Sequence, residues 1–343
     1  MSSKVFIDKA LEVLTSGRAA EKSHDETVRV RVYVDPTAPG ELVSAVRKAF
    51  VALRPGGIVD VLSLACGYVE DDVTADVVLV IPGANESAAA DAVTAYARRG
   101  THVGVLVESS VDAPRVSLDE VSATFVEVMG ATDAVAATSK VARWLVGATD
   151  KGIAFAANFP FCRDEEIEAL IGKCALENTA VGAVSILPGS DMPIMTANQA
   201  KLALDIAAAY GQSIDVSRAA ELVGVLGAGF AYRAAARSLV GLVPGLGWAV
   251  KAGMGYAGTV STGHALKARF DIALDGPDET VEHGREAVQA AREAAGQIVR
   301  VSGGRVSAPR ARAAEATSRQ AEREPRPGDF DYLVIGGAER AGE

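Results

Sequence analysis

The residues best placed for phosphate chemistry lie directly after the first predicted strand, Val28–Val34. Residues 35–42 read Asp-Pro-Thr-Ala-Pro-Gly-Glu-Leu and precede a predicted helix. In a nucleotide-binding domain this is the position of a P-loop, GxxxxGK(S/T). Glu41 and Leu42 replace the lysine that would meet the β and γ phosphates and the hydroxyl that would hold Mg²⁺. The sequence therefore predicts a degenerate P-loop that binds no nucleotide. Its residues are Asp35, Gly40, Glu41 and Leu42.

The rest of the sequence shows no pattern typical of catalysis. No Ser/His/Asp or Cys/His set has a local sequence anchor. His283 has Glu279 and Glu286 within a helical turn, but so charged a helix is more typical of a solvated face than of a metal site. We expect no catalytic residue, no metal ion and no cofactor, and hence no enzyme activity.

The composition argues against nucleic acid as a partner and indicates a reducing compartment. The 343 residues carry a formal charge of −10 with no basic run to offset it. The three cysteines, Cys66, Cys162 and Cys174, have no paired short spacing, so we expect free thiols. The N-terminal residues lack the apolar core of a signal peptide. These features predict a cytoplasmic location for most of the chain.

The hydrophobic pattern predicts a small, mainly parallel α/β domain over residues 28–120, after an N-terminal helix and polar linker at residues 1–27. Strands and helices alternate in it, and several strands are continuously apolar, which is typical of a parallel sheet covered by helices. The predicted strands are Val28–Val34, Ile58–Cys66, Asp76–Ile81 and Thr101–Val107, and the predicted helices are Glu41–Leu53 and Ser87–Arg98.

Alanine-rich helical patterns predict an all-α domain over residues 121–275, followed by a charged helix at 276–301. Thr196 and Gln199 predict a capping box for a helix starting near Ala197, and Gly211 predicts its end. Residues 302–343 are rich in Gly, Pro, Arg and Glu and predict a disordered tail. The predicted helices of this domain are Val121–Val128, Ala134–Gly147, Asp164–Leu176, Ala197–Tyr210, Ser217–Arg237 and Ala249–Phe270.

Two later segments occupy, in degraded form, the places of guanine-nucleotide motifs. Leu64-Ala65-Cys66-Gly67 follows the second predicted strand, where a DxxG would stand, and residues 108–111, Glu-Ser-Ser-Val, stand where NKxD would be. With the strand that contains residues 75–80, these segments make roughly Val28–Leu118 similar to a GTPase-like domain without its chemistry. The resemblance implies a nucleotide-incompetent pseudo-GTPase. An unrelated small α/β domain remains the alternative.

Residues 144–264 carry a longer series of ordered motifs. They are Asn158-Phe159-Pro160, Asn178 to Ala183, Leu187 to Gln199, Ala207 to Gly211 and Val243 to Trp248. In this order the motifs resemble domain of unknown function 697. The resemblance implies a helical domain that occurs alone or fused to GTPase domains. That family includes bacterial inner-membrane proteins and has no assigned reaction.

The polar residues of these motifs favour structural roles. Asn158, Asn178 and Asn198 could form a network inside an apolar bundle, because buried amides must be satisfied and then help to fix one packing. Substrate binding is the alternative for these amides. Asp191 lies between two turn dipeptides and is expected to cap backbone N–H groups. The predicted structural-motif residues are Asn158, Asn178, Asp191, Thr196, Asn198 and Gln199.

A glycine-rich run between Leu222 and Ser261 holds nine of the 34 glycines. Glycine in a water-soluble helix costs roughly 1 kcal/mol against alanine, so these glycines indicate close helix packing or membrane contact. Pro244-Gly245 divides the run and predicts a helical hairpin instead of one straight span. Membrane contact and packing in a soluble bundle both remain open. The residues expected at a membrane or partner are Arg233, Arg237, Pro244, Gly245, Trp248, Lys251 and Tyr256.

The sequence therefore favours a non-enzymatic bacterial protein that docks on a membrane or on a partner. The expected contacts are the inner-membrane surface, a protein partner or a second copy of the chain, but not nucleic acid. Peripheral or hairpin anchoring would hold an otherwise cytoplasmic chain at the membrane. Two alternatives from other classes remain, an atypical GTP- or ATP-binding hydrolase and a soluble helical scaffold.

Overall fold

The computed structural model describes residues 19–184, 192–212 and 247–275, which fall into two compact units. The first, the α/β unit, comprises residues 26–165. The second, the helical unit, comprises residues 19–25 and the described residues from 166 onwards. Residues 19–25 are helical, so the polar linker predicted there is wrong: Ala20 and His24, one helical turn apart, are both buried.

The α/β unit is a five-stranded parallel sheet with its connecting helices. The strands are β1 (Val28–Val34), β2 (Gly57–Ser63), β3 (Val77–Ile81), β4 (His102–Val107) and β5 (Val126–Gly130). The α-helices are α1 (Gly40–Ala49), α2 (Glu86–Arg98), α3 (Glu120–Ala123), α4 (Ala134–Ala148) and α5 (Gly152–Asn158), with 3-10 turns at Ser110–Asp112 and Pro160–Cys162. The strand order is β2-β1-β3-β4-β5, parallel throughout, which confirms the predicted parallel sheet.

Helices cover both faces of this sheet. On one face the alanine-rich side of α2 packs on β3 and β4, with Ala92 and Val105 in the shared core. On the other face α4 packs on β4 and β5. There Trp144 lies so close to Gly104 that a Cβ on the glycine would be 3.0 Å from the indole ring. β3 is apolar and buried along its whole length, as expected of a central parallel strand.

The helix predicted at Val121–Val128 is wrong. Only the single turn α3 forms there, and residues 126–130 are the edge strand β5, so the sheet continues past the domain boundary predicted at residue 120. Val126 and Val128 are half-buried and alternate with the exposed Glu127. That period of two belongs to a strand at the edge of a sheet. The helical prediction arose because residues 121–128 also contain apolar residues at helical spacing.

Three long helices make up most of the described helical unit: α6 (Arg163–Val184), α7 (Met192–Ala209) and α8 (Gly247–Asp275). The first three residues of α6 belong to the α/β unit. α7 packs on α8, and Tyr210 stacks on Phe270 with ring centroids 5.1 Å apart. Gly211 has a φ of +71° and donates its N–H to Ala208 O at 2.8 Å, so α7 ends where the sequence predicts.

The capping box predicted at Thr196 and Gln199 is wrong, because α7 begins at Met192 and both residues lie inside it. Pro193 is compatible with this earlier start, since the first turn of a helix has no internal acceptor for its N–H groups. Gln199 is buried, and its side-chain amide donates to Thr259 Oγ1 at 3.3 Å. Gln199 therefore belongs to the bundle interior and not to a helix terminus.

Only the end of the glycine-rich run lies within the described residues, on α8. A Cβ on Gly255 would lie 2.8 Å from both the carbonyl oxygen of Asn178 and the terminal methyl of Met195. Gly253 and Gly258 have open space around them instead. Close helix approach therefore requires glycine at position 255 but not at those two neighbours.

Several predictions fall outside the described residues. They include the N-terminal helix, the helix at Ser217–Arg237, the charged helix and the tail. Trp248 and Lys251 lie in the first turns of α8, and the side chain of Tyr256 is 44 % exposed. Among the described helices, none is both long enough and apolar enough to cross a bilayer. The predicted site residues outside the described ranges are Asp191, Arg233, Arg237, Pro244 and Gly245.

Candidate functional site

The strand order identifies where a ligand would bind in the α/β unit. In an open parallel sheet, ligands bind beyond the carboxyl ends of the strands, at the point where the strand order reverses. Here that point lies between β1 and β3. The loops that leave these strands are residues 35–39 and 82–85, which lead into α1 and α2. The first of these loops contains the start of the predicted degenerate P-loop.

Asp35 fills this position with its own carboxylate. The residue is buried, and its Oδ1 accepts hydrogen bonds from the Thr37 N–H at 2.8 Å and the Thr37 hydroxyl at 2.6 Å. Its Oδ2 accepts from the Asn85 N–H at 3.1 Å. Thr37 Oγ1 in turn accepts from the Ala84 N–H at 2.7 Å. The carboxylate therefore joins the loop after β1 to the loop after β3.

Asn85 extends the same network to a third strand end. Its Oδ1 caps α2 by accepting from the Ala88 N–H at 3.3 Å, and its Nδ2 donates to Leu64 O, just after β2, at 3.3 Å. Three neighbouring loops at this edge of the sheet are thus joined by the side chains of Asp35, Thr37 and Asn85. The N–H groups of Thr37, Ala84, Asn85 and Ala88 have acceptors within the chain.

Gly83 shows how little space the closed loops leave. A Cβ at this position would be 2.5 Å from Asp35 Oδ1 and 2.8 Å from Ala38 N, and closer still to Thr37 Oγ1. No carbon atom fits at those distances, so the backbone of Gly83 packs directly against the loop after β1.

The electrostatics of the loop also disfavour an anionic ligand. Burial by itself would raise the pKa of Asp35. The hydrogen bonds from the Thr37 side chain and backbone and from the Asn85 backbone outweigh that effect and hold this pKa below its ordinary value. Asp35 is therefore an anion at neutral pH, at the place where a nucleotide would bring further negative charge.

The other residues of the predicted degenerate P-loop lie in the first turn of α1. Gly40 begins α1 and has open space around it. Glu41 is exposed in the first turn, where a carboxylate interacts favourably with the helix dipole. Leu42 is fully buried in the core of the α/β unit. None of the three points to a nucleotide.

Replacement of Gly83 by alanine tests whether the loops are as tightly closed as the distances indicate. The new methyl group would force Asp35 and Thr37 apart, and we expect a loss of about 2 kcal/mol in the free energy of unfolding. Gly40→Ala is the matched control, because nothing lies within 4 Å of a Cβ at that position. Urea denaturation of both variants measures the difference. Equal stability of the two variants would show that the loops yield easily.

A second polar cluster lies on the α2 face of the sheet, and the sequence pattern does not reveal it. The guanidinium of Arg31, on β1, is buried and donates two hydrogen bonds to the Asp71 carboxylate. Nη1 donates to Oδ1 at 2.5 Å and Nη2 donates to Oδ2 at 2.6 Å. Nη1 also donates to Tyr96 Oη at 2.6 Å, and Tyr33 Oη lies 3.1 Å from Tyr96 Oη. Asp71 belongs to the connection between β2 and β3, residues 64–76, which the ion pair fastens to the sheet.

The predicted amide residues separate into two places. Asn178 and Asn198 meet: Asn198 Nδ2 donates to Asn178 Oδ1 at 2.9 Å, and Asn178 Nδ2 donates to Thr259 Oγ1 at 2.8 Å. Thr259 Oγ1 also accepts a hydrogen bond from the Gln199 side chain. One buried network of hydrogen bonds therefore joins α6, α7 and α8. Asn158 lies in the α/β unit instead, where its Nδ2 donates to Ala154 O within α5.

Two buried carboxyl groups accompany this network, and sequence inspection did not single them out. Glu166 on α6 and Asp205 on α7 are each about 93 % buried, with 7 % of their surface exposed. Burial, reinforced by the charge of Asp205, raises the pKa of Glu166 to about 8, while nearby Lys173 opposes the shift. Burial likewise raises the pKa of Asp205 to about 6, against the charge of Lys201, whose Nζ lies 3.8 Å from Oδ2.

The three cysteines are free, as predicted. Cys66 is exposed in the loop after β2, whereas Cys162 and Cys174 are buried. Burial raises the pKa of the Cys174 thiol to about 12, so this side chain is an inert packing group at neutral pH.

Within the ranges that the structure describes, no three His, Cys, Asp or Glu side chains are grouped so that they could hold a metal ion. No family model, curated protein or solved structure matches the chain. The chemistry of the loop around Asp35 must therefore carry the functional interpretation.

Proposed function

We propose that this chain is a non-enzymatic docking protein. Its α/β unit is a nucleotide-incompetent relative of GTPase-like domains, and its helical part docks on a membrane surface or a protein partner. Nucleotide incompetence is supported by the Asp35 carboxylate, at the point where the strand order reverses. It accepts hydrogen bonds from the Thr37 N–H and hydroxyl and from the Asn85 N–H. The strand order itself is compatible with descent from a nucleotide-binding sheet.

The physical reason for nucleotide incompetence is twofold. A phosphate group binds where free N–H groups and cations converge, whereas the Thr37 and Asn85 N–H groups here already donate to an anion of the chain itself. The loop from 35 to 42 also contains no lysine or arginine to offset the charge of a triphosphate. A nucleotide would have to displace Asp35 and then lie beside its charge.

Titration calorimetry of the whole chain with GTP and with ATP, each with Mg²⁺, tests this half of the proposal. We expect no binding up to about 1 mM nucleotide, which corresponds to less than about 4 kcal/mol of binding free energy. Asp35→Asn is the informative variant. It removes the charge but supplies no lysine, so it should not bind either. Micromolar binding by the wild-type chain, with hydrolysis that Asp35→Asn alters, would instead establish the atypical hydrolase.

The docking half of the proposal rests on the glycine-rich run and on the resemblance to domain of unknown function 697. In the run, three cations, Arg233, Arg237 and Lys251, flank apolar and small residues. Such a segment suits a negatively charged bilayer surface, where each cation contributes about 1 kcal/mol and the apolar side chains enter the interface. The exposed Tyr256, in the described part of α8, is a residue type favoured at such interfaces.

Co-sedimentation with vesicles separates a membrane from a protein partner. We expect the full chain to bind vesicles rich in phosphatidylglycerol and not vesicles of phosphatidylcholine. Reversing all three cations, R233E/R237E/K251E, should lower the partition at least ~10-fold. The matched control is R310E/R312E/R319E, which changes the net charge equally but lies in the tail. Absence of wild-type binding to either vesicle would exclude the membrane and leave a protein partner as the docking surface.

A further inference from the structure

The outer edge of β2 is an open hydrogen-bonding edge. β2 is the first strand in the order of the sheet and pairs on one side only, with β1. Gly56 O accepts from the Val28 N–H, and the Leu64 N–H donates to Val34 O, each at 2.9 Å. Because alternate residues of a strand point their backbone groups to opposite sides, the even-numbered residues face β1. The N–H and C=O groups of Val59 and Val61 therefore point away from the sheet.

This edge is long and largely apolar for an exposed strand. It is seven residues long and contains Ile58, Val59, Val61 and Leu62, and the Val61 side chain is 69 % exposed. Within the part of the chain that the structure describes, no strand pairs with its outer side. Natural proteins cover or shorten such an edge, because it is a template for pairing with another strand.

A second copy of β2 is a poor partner for this edge. Antiparallel pairing centred on the strand would place Asp60 directly opposite Asp60, and like charges in that position are destabilising. Asp60 is engaged only loosely by Arg29, with 3.8 Å between Nε and Oδ2. The other edge strand, β5, is shorter and carries Glu127 at an exposed position. Length and charge thus single out the β2 edge as the open one and disfavour its pairing with a second copy of itself.

The C-terminal tail contains a segment with the composition of a β-strand that could pair with this edge. Phe330–Ile335 reads Phe-Asp-Tyr-Leu-Val-Ile, and it lies between Pro-Gly on one side and Gly-Gly on the other. Aromatic and β-branched residues bounded by turn residues are the pattern of a strand, and the length matches the exposed edge. The preceding residues 302–329 contain no comparable apolar cluster. Phe330 comes 55 residues after Asp275, the last described residue.

We infer that residues 330–335 add to the outer edge of β2 as a sixth strand within the same chain. The main-chain groups of Val59 and Val61 supply the hydrogen bonds, and the apolar side chains of the added strand cover Val61. This mode of recognition is β-strand addition, in which the backbone gives affinity and alternate side chains give specificity. The inference is independent of the docking function proposed above, since it concerns only the α/β unit and the tail.

Hydrogen exchange followed by mass spectrometry tests the inference on peptides that span residues 57–63. In the full chain the outward amides of Val59 and Val61 should be protected. In a chain that ends at Asp329 they should exchange at least ~10-fold faster, while peptides of the central strand β3 exchange at an unchanged rate. A synthetic peptide of residues 328–338 should restore the protection when added to the shortened chain.

Two point variants of the full chain give a matched comparison. Leu333→Pro removes an N–H group from the proposed strand and should behave like the shortened chain. Ala321→Pro lies in the tail outside the proposed strand and should behave like the wild type. Identical exchange of residues 57–63 in the full chain, the shortened chain and Leu333→Pro would overturn the inference. Protection that rises with protein concentration together with a dimeric mass would also overturn it, because the strand would then come from a second copy.

Discussion

Replacement of Asp71 by asparagine is expected to lower the free energy of unfolding of the α/β unit by about 3 kcal/mol. The variant leaves the Arg31 guanidinium buried beside β1 without its counter-charge. Removal of one partner from a buried ion pair costs about 3–5 kcal/mol, since the remaining charge is cut off from water. Asp71 is itself 34 % exposed, so water can reach the vacated position, and the cost should fall at the lower end of that range.

The surroundings of Arg31 explain why water cannot fully repair the loss. Its side chain is only 4 % exposed, and its Nε has no hydrogen-bond partner. Its guanidinium lies over the ring of Tyr33 and bonds to Tyr96, and these two rings pack with Tyr68 at centroid distances of about 6 Å. The two Asp71 oxygens and one tyrosine hydroxyl are its polar contacts in this cluster. Backbone hydrogen bonds fasten the two ends of the connection at residues 64–76, Leu64 N–H to Val34 O and Asp76 N–H to Arg29 O, and the ion pair fastens its middle.

Urea denaturation monitored by circular dichroism measures the effect, and Glu70→Gln is the matched control. Glu70 lies beside Asp71 and pairs with Arg99, but its side chain is 69 % exposed, so its loss should cost less than about 1 kcal/mol. The double variant R31M/D71N removes both charges and should recover most of the lost stability. A loss below about 1 kcal/mol for Asp71→Asn would contradict a buried role for the pair.

Local sequence patterns predicted the sheet because its central strands are apolar over short, contiguous segments. Val77–Ile81 and His102–Val107 match their predictions within one residue at either end. The edge strand β5 was not predicted. An edge strand is only half-buried, so its apolar residues alternate with polar ones, and here that two-residue period overlaps a helical spacing of apolar residues. Helix α7 was predicted one turn too short, because a threonine and a glutamine at capping-box spacing can equally lie inside a helix.

The polar sites depend on contacts that no local pattern contains. Arg31 sits in an alternating Val-Arg-Val-Arg strand that would normally leave arginine in solvent, yet it meets Asp71, 40 residues farther along the chain. The loop at Asp35 was located from sequence, but its closure requires the backbone of Asn85, 50 residues away. Sequence reasoning therefore located the loop. It could not find which residue of the next loop along the sheet closes it.

Replacement of Glu166 by glutamine is expected to remove a pH dependence from the stability of the helical unit. The pKa of Glu166 is raised from 4.5 to about 8, so the folded state holds a proton that the unfolded state releases. Stability therefore falls as the pH rises from about 4.5 to about 8, at up to about 1.4 kcal/mol per pH unit, and it is constant below and above that interval. By pH 7 the carboxyl group costs on the order of 3 kcal/mol relative to pH 4.5.

The groups around Glu166 support this direction. Asp205 adds negative charge from α7, and its own raised pKa of about 6 extends the loss of stability to lower pH. Lys173 opposes both shifts and Lys201 opposes that of Asp205, but they do not cancel the cost of burial. Glutamine keeps the size of the side chain and cannot ionise, although its buried amide has a cost of its own that does not change with pH.

The measurement is denaturant unfolding at pH 5, 6, 7 and 8, with hydrogen exchange of α7 peptides to assign the loss to the helical unit. The stability of Glu166→Gln relative to the wild type should rise steadily across this series, and the variant should be the more stable chain at pH 8 by about 2 kcal/mol. Glu168→Gln is the control. That side chain is 51 % exposed, so its replacement should not reproduce the gain in stability at pH 8 that Glu166→Gln gives. Parallel curves for the wild type and Glu166→Gln would mean that Glu166 is already ionised in the folded chain, in contact with water or a cation that offsets its burial.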